Sequence, residues 1–191
     1  MGKVNGSYLI SRTLKEEGVD TLFYLMGGPN FDIVMACEDL GIKAIDFRHE
    51  QAAAFAAHAY ARVTGKPGVC TAASGPGTLN LLTGVYTAAI DCAPMVVLGG
   101  AGPVNEIGRD AFQEVDQVSI MKPLCKYWHQ PTSAARYPEI VSTAYRQALS
   151  GRPGPVYIDC GADVLYEEIE EDQAVEPTRA VKRSRPAAEA D

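Results

Sequence analysis

Two short segments of this sequence combine residue types that can do chemistry on a ligand. The first is the charged triplet Arg48-His49-Glu50, which follows the apolar run of residues 44–47 and precedes a run rich in alanine. A carboxyl group at such a junction can accept or donate a proton. The second is Ser74-Gly75-Pro76-Gly77, whose glycines let the backbone approach a planar or charged ligand. Together they predict one site, built from an acid and a glycine-rich loop.

Each segment also has a simpler interpretation. At the start of a helix, Glu50 can supply only the negative charge that the helix dipole favours. The glycine-rich loop lacks the G-x-G-x-x-G spacing and has no lysine after its glycines, so it is neither a dinucleotide-binding fingerprint nor a P-loop. The position of the loop one strand after Glu50 favours the ligand site.

The elements that must position these segments alternate between strand and helix. Apolar runs predict strands over residues 21–26, 42–47, 69–73, 94–100, 123–128 and 156–159. Amphipathic or alanine-rich segments predict helices over residues 7–17, 31–40, 50–63, 74–90 and 133–149. Because strand–helix–strand connections are right-handed, this order predicts an α/β fold, an open six-stranded mostly parallel sheet with helices on both faces. Ligands bind at the carboxyl edge of such sheets.

Three local features add to this prediction. Asn30 and Ser74 are suited to cap the helices that follow them. The loop of residues 101–116 is long enough to be functional, although its composition fits a solvated polar connection equally well. The many alanines of the helix at residues 50–63 predict close packing against a neighbouring backbone, as in an oligomer interface.

The composition limits the class of protein. With 191 residues, 47% of them hydrophobic, the chain has room for one ordinary domain with a core. A net charge of -7 argues against nucleic acid or an anionic membrane as the main partner. The longest apolar windows are strand-sized, the start has no signal-peptide layout, and the five cysteines are scattered, so we expect a cytoplasmic protein without a disulfide or zinc framework. We expect a domain at residues 1–166 and a linker or tail at residues 167–191, with basic residues clustered only at 179–185.

Six motifs follow one another in a recognisable order. They are Phe47-Arg48-His49-Glu50-Gln51, Ala59-Tyr60-Ala61-Arg62-Val63-Thr64-Gly65, Ser74-Gly75-Pro76-Gly77-Thr78-Leu79-Asn80, Ala93-Pro94-Met95-Val96-Val97-Leu98, Phe112-Gln113-Glu114-Val115-Asp116 and Gly151-Arg152-Pro153-Gly154-Pro155-Val156. Over about residues 3–166 the chain resembles the N-terminal pyrimidine-binding domain of thiamine diphosphate enzymes. It looks most like the acetolactate synthase group, with oxalyl-CoA decarboxylase and 2-hydroxyacyl-CoA lyase as near relatives.

The resemblance implies a role for each site residue. Glu50 would be the catalytic acid, hydrogen-bonded to the pyrimidine nitrogen N1′ of the cofactor, and it would favour the imino form of the 4′-amino group, the base that removes the C2 proton. His49 precedes the acid and could orient it, but a structural role is the one we expect. The cofactor-binding residues would be Gly27, Gly28, Glu50, Ser74, Pro76, Gly77 and Asn80. Phe112 and Gln113 would reach the substrate, a 2-oxo acid in decarboxylation and carboligation, across a subunit boundary.

The resemblance also implies partners. Magnesium and the cofactor's diphosphate would be held by a Gly-Asp-Gly domain absent from this chain, in the same or another subunit, so the enzyme would be at least a dimer and a homo-oligomer. No metal ligand is expected here, and FAD binding by a middle domain stays open. The sequence at residues 185–191 favours a piece of a longer chain over a natural half.

Other functions remain as alternatives. Acetolactate synthases typically have Tyr-Pro where this chain has Leu25-Met26, and a small residue where it has Pro29. Because this loop borders the reacting centre, the choice among 2-oxo acids and acyl-CoA substrates stays open, including the 2-hydroxyacyl-CoA lyase and oxalyl-CoA decarboxylase types. A non-catalytic partner subunit that kept the fold is another alternative, and an unrelated nucleotide-binding domain is disfavoured by the missing fingerprints.

Overall fold

The computed structural model describes residues 2–177. Its strands are β1 (Lys3–Asn5), β2 (Thr21–Tyr24), β3 (Lys43–Asp46), β4 (Gly68–Ala72), β5 (Met95–Ala101), β6 (Tyr127–His129), β7 (Pro155–Gly161) and β8 (Glu168–Glu170). Its α-helices are α1 (Gly6–Glu16), α2 (Phe31–Asp39), α3 (Glu50–Thr64), α4 (Pro76–Asn80), α5 (Leu82–Ile90), α6 (Gln117–Met121), α7 (Tyr137–Leu149) and α8 (Ala162–Tyr166).

Six of the strands form one parallel sheet, which confirms the predicted fold class. The strand order is β3-β2-β4-β5-β7-β6, and every neighbouring pair is parallel. Every residue of β4, β5 and β7 is buried, as expected for strands covered on both faces. Because these strands are buried on both faces, their sequences are continuous apolar runs.

Helices cover both faces of the sheet, and alternate strand residues divide the core between them. On one face α1, α2 and α7 pack with Leu22, Val96 and Ile158. On the other face α3 and α5 pack with Met95 and Val97. The period of two along a strand sends successive side chains to opposite faces, so one sheet supports two apolar layers.

The loops after β2 and β4 meet at a switch in the order of connections. The chain runs from β2 to the sheet edge at β3, whereas β4 lies on the other side of β2 and leads on to β5. Ligands bind in the crevice outside the carboxyl ends of strands at such a switch point, because the two connections leave in opposite directions. The glycine turn at residues 27–28 and the glycine-rich loop at residues 74–77 lie there.

Several short elements differ from the prediction. The helix predicted over residues 74–90 is divided into α4 and α5 at Leu81, and the strand predicted from residue 123 begins only at Tyr127, after a 3₁₀ turn at Lys122–Leu124. The elements β1, β8, α6 and α8 were not predicted, because three to five residues are too few to show a hydrophobic period.

Ordered structure continues after residue 166. Strand β8 pairs antiparallel with β1, Ile169 is 9% exposed, and Arg12 forms ion pairs with Glu171 at 3.1 Å and Glu176 at 2.6 Å. The division at residue 166 stays a prediction. The rest of the predicted tail, residues 178–191, lies outside the described residues, and so do the basic stretch at 179–185 and the lead-in at 185–191.

The five cysteines differ in burial. Cys37, Cys70 and Cys160 are buried, as predicted for small apolar side chains, whereas Cys92 and Cys125 are partly exposed. Burial raises the pKa of the Cys70 thiol to about 12, which keeps that thiol neutral. Across residues 2–177 no helix has both the length and the apolar character that a membrane span requires.

Candidate functional site

A cleft of about 610 Å³ opens at the carboxyl edge of the sheet. Every residue that the sequence predicted for the site lines it: Gly27, Gly28, Glu50, Ser74, Pro76, Gly77, Asn80, Phe112 and Gln113. They come from the ends of several strands, so the sheet brings together residues that are far apart in sequence. Whether each has the predicted role stays a prediction.

Glu50 lies at the first position of α3 and is only 9% exposed. The preceding residue, His49, caps the helix, because its Nδ1 atom accepts a hydrogen bond from the Gln51 amide at 3.2 Å. His49 therefore has the structural role that was expected. Asn80, at the end of α4, donates from Nδ2 to Glu50 Oε2 at 3.0 Å. This bond holds the carboxyl group in one orientation at the wall of the cleft.

Gly77 leaves space beside the second carboxyl oxygen. A Cβ atom added to Gly77 would lie 3.3 Å from Glu50 Oε1 and 3.1 Å from the Cβ atom of Ala73. Any side chain at this position would crowd the acid. Gly77 therefore lies in the first turn of α4 without placing a side chain beside Glu50 Oε1.

The glycine turn after β2 forms another wall. The Gly27 amide donates to Asn30 Oδ1 at 3.1 Å, and the Ser74 amide donates to the Gly28 carbonyl at 3.2 Å, which joins the two glycine loops. A Cβ atom on Gly28 would meet no atom within 4 Å, so this backbone borders open space. Asn30 is the N-cap residue of α2, as predicted, but its side chain makes no capping hydrogen bond and holds the turn instead.

Ser74 also has a different partner from the one predicted. The N-cap of α4 is Gly75 and has no side-chain hydrogen bond, while Ser74 Oγ donates to Gln113 Oε1 at 2.8 Å. The prediction of Ser74 as a cap is therefore wrong. Its hydroxyl group instead attaches the loop that carries Phe112 and Gln113 to the glycine-rich loop.

The loop after β5 is held by its own acid. Glu114 accepts hydrogen bonds from the Gly108 and Ala111 amides at 2.5 and 3.0 Å, and these bonds lower the pKa of its carboxyl group. The loop presents Phe112, which is 86% exposed, at the cleft, next to Gln113, whose φ is +59°. A non-glycine residue in this conformation is uncommon and is found where surrounding contacts impose it.

Sequence reasoning missed several residues of the cleft. Its lining also includes the mostly apolar set Leu25, Met26, Pro29, Ala73, Ala101, Gly102, Pro103, Ala162 and Tyr166. Leu25, Met26 and Pro29 were noted only as departures from the family pattern, and nothing in the local sequence separates the others from core or loop residues. Tyr166 reaches the cleft because α8 follows β7 at the same edge of the sheet.

The arrangement suits a planar heterocycle with one polar edge. A single carboxyl group, oriented by an amide, lines a cleft that is otherwise made of glycine backbone, mostly apolar side chains and the polar side chains of Ser74 and Gln113. Mostly apolar walls suit a flat ring, and a few placed polar groups orient it. Within residues 2–177 no group of three or more His, Cys, Asp and Glu side chains is arranged to hold a metal ion.

Several known proteins are similar to this chain in sequence. Residues 4–120 match the family model described as thiamine pyrophosphate enzyme, N-terminal TPP binding domain. The chain is 46% identical over 170 residues to the acetolactate synthase large subunit of Parasynechococcus marenigrum, covering 87% of this chain and 28% of that protein. It is 42% identical over 172 residues to the acetolactate synthase of Arthrospira platensis (88% of this chain, 30% of that protein) and 40% identical over 163 residues to 2-hydroxyacyl-CoA lyase 1 of Mus musculus (85% and 28%). The chain thus spans about three tenths of the length of these relatives. It belongs to the family of N-terminal domains that bind thiamine pyrophosphate, also called thiamine diphosphate, in the enzymes that use this cofactor.

Proposed function

We propose that this chain is the pyrimidine-binding half of a thiamine diphosphate-dependent enzyme acting on 2-oxo acids, most like acetolactate synthase. The observation that carries the proposal is the Glu50 carboxyl group, 9% exposed, oriented by Asn80 and facing the cleft. Burying an acid costs stability, and acids buried in ligand-sized clefts concentrate at functional sites, so the place of Glu50 supports a role in catalysis.

The residues that would hold the cofactor surround this acid. Gly27 and Gly28 form one wall, and Ser74, Pro76, Gly77 and Asn80 form the other. The fit rests on the space that the glycines leave, since Gly28 borders an opening and a side chain at Gly77 would crowd Glu50 Oε1. Phe112 and Gln113, on the loop after β5, would contact the substrate.

When bound, thiamine diphosphate supplies the carbon nucleophile that attacks the substrate carbonyl. The contribution of this chain is to place a proton. Asn80 donates to Oε2 of Glu50 and so orients the carboxyl group, and Oε1 would be left to share a proton with the ring nitrogen N1′. The mostly apolar walls would limit the access of water to this proton.

The proposal includes partners that lie outside this chain. A diphosphate-binding domain, in the same or another subunit, would hold the cofactor's diphosphate and a magnesium ion, and the shared site would require at least a dimer. FAD would belong to a further domain of the full enzyme. A cytoplasmic location is part of the proposal and is supported by the acidic composition and the scattered free thiols.

A second candidate activity is cleavage of 2-hydroxyacyl-CoA. It is favoured by 40% identity to 2-hydroxyacyl-CoA lyase 1 of Mus musculus, close to the values for the synthases, and by Leu25 and Met26, which line the cleft with apolar side chains. The complete enzyme, given pyruvate or a 2-hydroxyacyl-CoA in parallel, separates the two. Formation of acetolactate supports the first activity, and release of an aldehyde with formyl-CoA supports the second.

The test of the acid is Glu50→Gln in the complete enzyme, with the diphosphate-binding domain present. We expect exchange of the cofactor's C2 proton, followed by NMR, to slow by about 100-fold or more, because an amide cannot share an acidic proton with N1′. Glu139→Gln is the matched control, since Glu139 is the acid in the first turn of α7 and lies outside the cleft. If Glu50→Gln exchanges as fast as this control, Glu50 serves only the helix dipole and the assignment is wrong.

A further inference from the structure

A buried hydrogen-bonded cluster lies behind the glycine-rich loop, outside the residues assigned to the cleft. Its members are Gln117, at the start of α6, and Tyr157 and Asp159 on β7, all no more than 2% exposed. Gln130 completes it from the loop after β6. Asp159, Gln130 and Gln117 also line a second cavity of about 330 Å³, which adjoins the cleft through residues 101–103. A buried carboxylate at this depth needs a structural or functional reason.

Three donors converge on the Asp159 carboxyl group. Gln117 Nε2 donates to Oδ1 at 2.7 Å, Gln130 Nε2 donates to Oδ2 at 2.8 Å, and the Tyr157 hydroxyl group donates to Oδ1. Burial raises the pKa of Asp159, while these donors oppose the shift. An ionised carboxylate accepts from all three without conflict, so the donor set matches the charged form.

This carboxylate orients the amide of Gln117. Besides Asp159, Gln117 Nε2 lies 2.9 Å from the Gly100 carbonyl and 3.1 Å from the Tyr157 hydroxyl oxygen. With these acceptors around the NH₂ group, the amide oxygen must point the other way. There it accepts a hydrogen bond from the Gly75 amide at 2.7 Å. A flipped amide would set its oxygen against a carboxylate and its NH₂ group against an N–H.

The backbone at Gly75 determines the position of the cleft wall formed by the glycine-rich loop. It follows Ser74 and precedes Pro76 and Gly77, and its φ of +58° and ψ of -115° direct the chain from the end of β4 into α4. The position of Gly75 therefore determines how closely Gly77 and Asn80 approach Glu50. A displacement of Gly75 by a fraction of an ångström would alter the hydrogen bond from Asn80 to Glu50 and the space beside Glu50 Oε1.

We propose that Gln117, oriented by Asp159, is a positioning residue that holds the Gly75 amide and so presets the cofactor-binding wall beside Glu50. The inference rests on the proposed function, since the wall it positions is the one proposed to bind the pyrimidine ring. Neither residue lines the cleft itself, and each acts only through the glycine-rich loop. The contact is made entirely by residues of this chain.

Hydrogen exchange of the unmodified protein provides the first test. In the complete enzyme freed of thiamine diphosphate, we expect the Gly75 amide to exchange slowly, because its acceptor is Gln117 rather than the cofactor. Amide-resolved exchange is measured before and after thiamine diphosphate and Mg²⁺ are added. Protection that is present beforehand supports the inference. Protection that arises only with the cofactor overturns it.

The second test compares two glutamines that share Asp159. Gln117→Met keeps the volume but removes both ends of the bridge, and we expect the Kd for thiamine diphosphate, from calorimetry at saturating Mg²⁺, to rise about tenfold, with faster exchange at Gly75. Gln130→Met is the matched control, since Gln130 also donates to Asp159 but makes no hydrogen bond to the glycine-rich loop. It should lower Tm without changing Kd. Equal Kd values for the two variants would overturn the positioning role.

A double-mutant cycle shows whether Asp159 acts through Gln117. Asp159→Leu should weaken cofactor binding in the unmodified background and add nothing in the Gln117→Met background. Additive losses would mean that Asp159 affects binding by another route, which contradicts the inference.

A measurement on Glu50→Gln distinguishes failure of this inference from failure of the proposed function. If the C2 proton of the cofactor exchanges as fast in Glu50→Gln as in the unmodified enzyme, the proposed function is wrong, whatever the Kd of Gln117→Met. If the unmodified enzyme binds and Gln117→Met binds equally well, only the inference is wrong.

Discussion

At Gly75 the backbone has φ +58° and ψ -115°, a combination that L-residues other than glycine rarely adopt. A second constraint acts at the same residue, because a Cβ atom there would lie 2.5 Å from the carbonyl oxygen of Gln113. Conformation and close approach both require glycine at this position. The two loops of the cleft, after β4 and after β5, can touch only because this residue has no side chain.

We therefore expect Gly75→Ala to destabilise the protein by about 3 kcal/mol, the sum of backbone strain and a steric clash. Urea unfolding measures the change in the free energy of unfolding. Gly102→Ala is a suitable control, since Gly102 is on the loop after β5 and an added Cβ atom would meet nothing within 4 Å. A loss at Gly75 no larger than the loss at Gly102 would contradict this account of the loop.

Asp20 makes a separate prediction about pH. Its carboxyl group accepts hydrogen bonds from Tyr60 at 2.6 Å, from Lys66 at 2.9 Å and from Thr21 at 2.9 Å, which lower its pKa to about 2. A lowered carboxyl pKa stabilises the folded protein above the ordinary value of 3.8, and this stabilisation is lost as the pH falls toward 2.

Because Asp20 is about half exposed, we expect Asp20→Asn to cost only about 0.5 kcal/mol at pH 7. Thermal unfolding of the unmodified protein and the variant between pH 7 and pH 2 measures the difference, which should shrink below pH 4. Tyr60→Phe should reproduce most of the effect, since its hydrogen bond is the largest cause of the shift. A difference in stability that stays constant down to pH 2 would contradict the assignment.

The helices α3 and α5 pack closely at a place where both have small residues. A Cβ atom added to Gly84 on α5 would lie 2.5 Å from the Cβ atom of Ala54 on α3. Ala57 and Ala61 continue the small-residue surface of α3, and Ala88 continues that of α5. This packing confirms that the alanines let a helix lie against a neighbouring backbone, here within one chain. Their use in an oligomer interface stays a proposal.

We expect Gly84→Ala to destabilise the protein by about 1–2 kcal/mol, because separating the two helices outweighs the gain of about 1 kcal/mol in helix propensity. Thr83→Ala is the matched control at the neighbouring, exposed position of the same helix. It gains propensity without any clash and should not lower Tm. The packing account would be wrong if Gly84→Ala raised Tm as the control does.

At the scale of the whole molecule, β1 and β8 join the two ends of the described chain. Val4 pairs with Ile169, which belongs to the same apolar cluster as Leu9 of α1, and Arg12 binds Glu171. Burial of Ile169 contributes more than the ion pair, since apolar burial is worth about 1.5–3 kcal/mol and a partly exposed salt bridge is worth less than about 1 kcal/mol.

A chain ending after residue 166 should therefore be less stable than one ending after residue 177 by about 2 kcal/mol, or about 4–8 °C in Tm. Differential scanning calorimetry of the two chains measures this. Arg12→Met in the longer chain isolates the ion pairs and should lower Tm only slightly. Equal Tm values for the two chains would support the predicted domain limit at residue 166.

The sequence by itself determined the alternation of strands and helices, the parallel sheet, and the two segments of the cleft. Apolar periods report burial directly, and strands buried on both faces belong to a parallel sheet covered by helices. Glu50 and the glycine-rich loop could be found because an acid and paired glycines at strand ends are local patterns. The roles of Pro76, Asn80, Phe112 and Gln113 came from family resemblance, because no local pattern separates them from ordinary loop residues.

Only the tertiary structure decided which side chains meet. Asn30 and Ser74 look like helix caps in sequence, yet their partners are the glycine turn and Gln113, 39 residues beyond Ser74. Gln117 and Asp159 are 42 residues apart and show no motif, and strand order alone brings them together behind Gly75. A hydrophobic period describes how one element is buried. A hydrogen bond between elements depends on which strands are neighbours in the sheet. No single segment of the sequence specifies that arrangement.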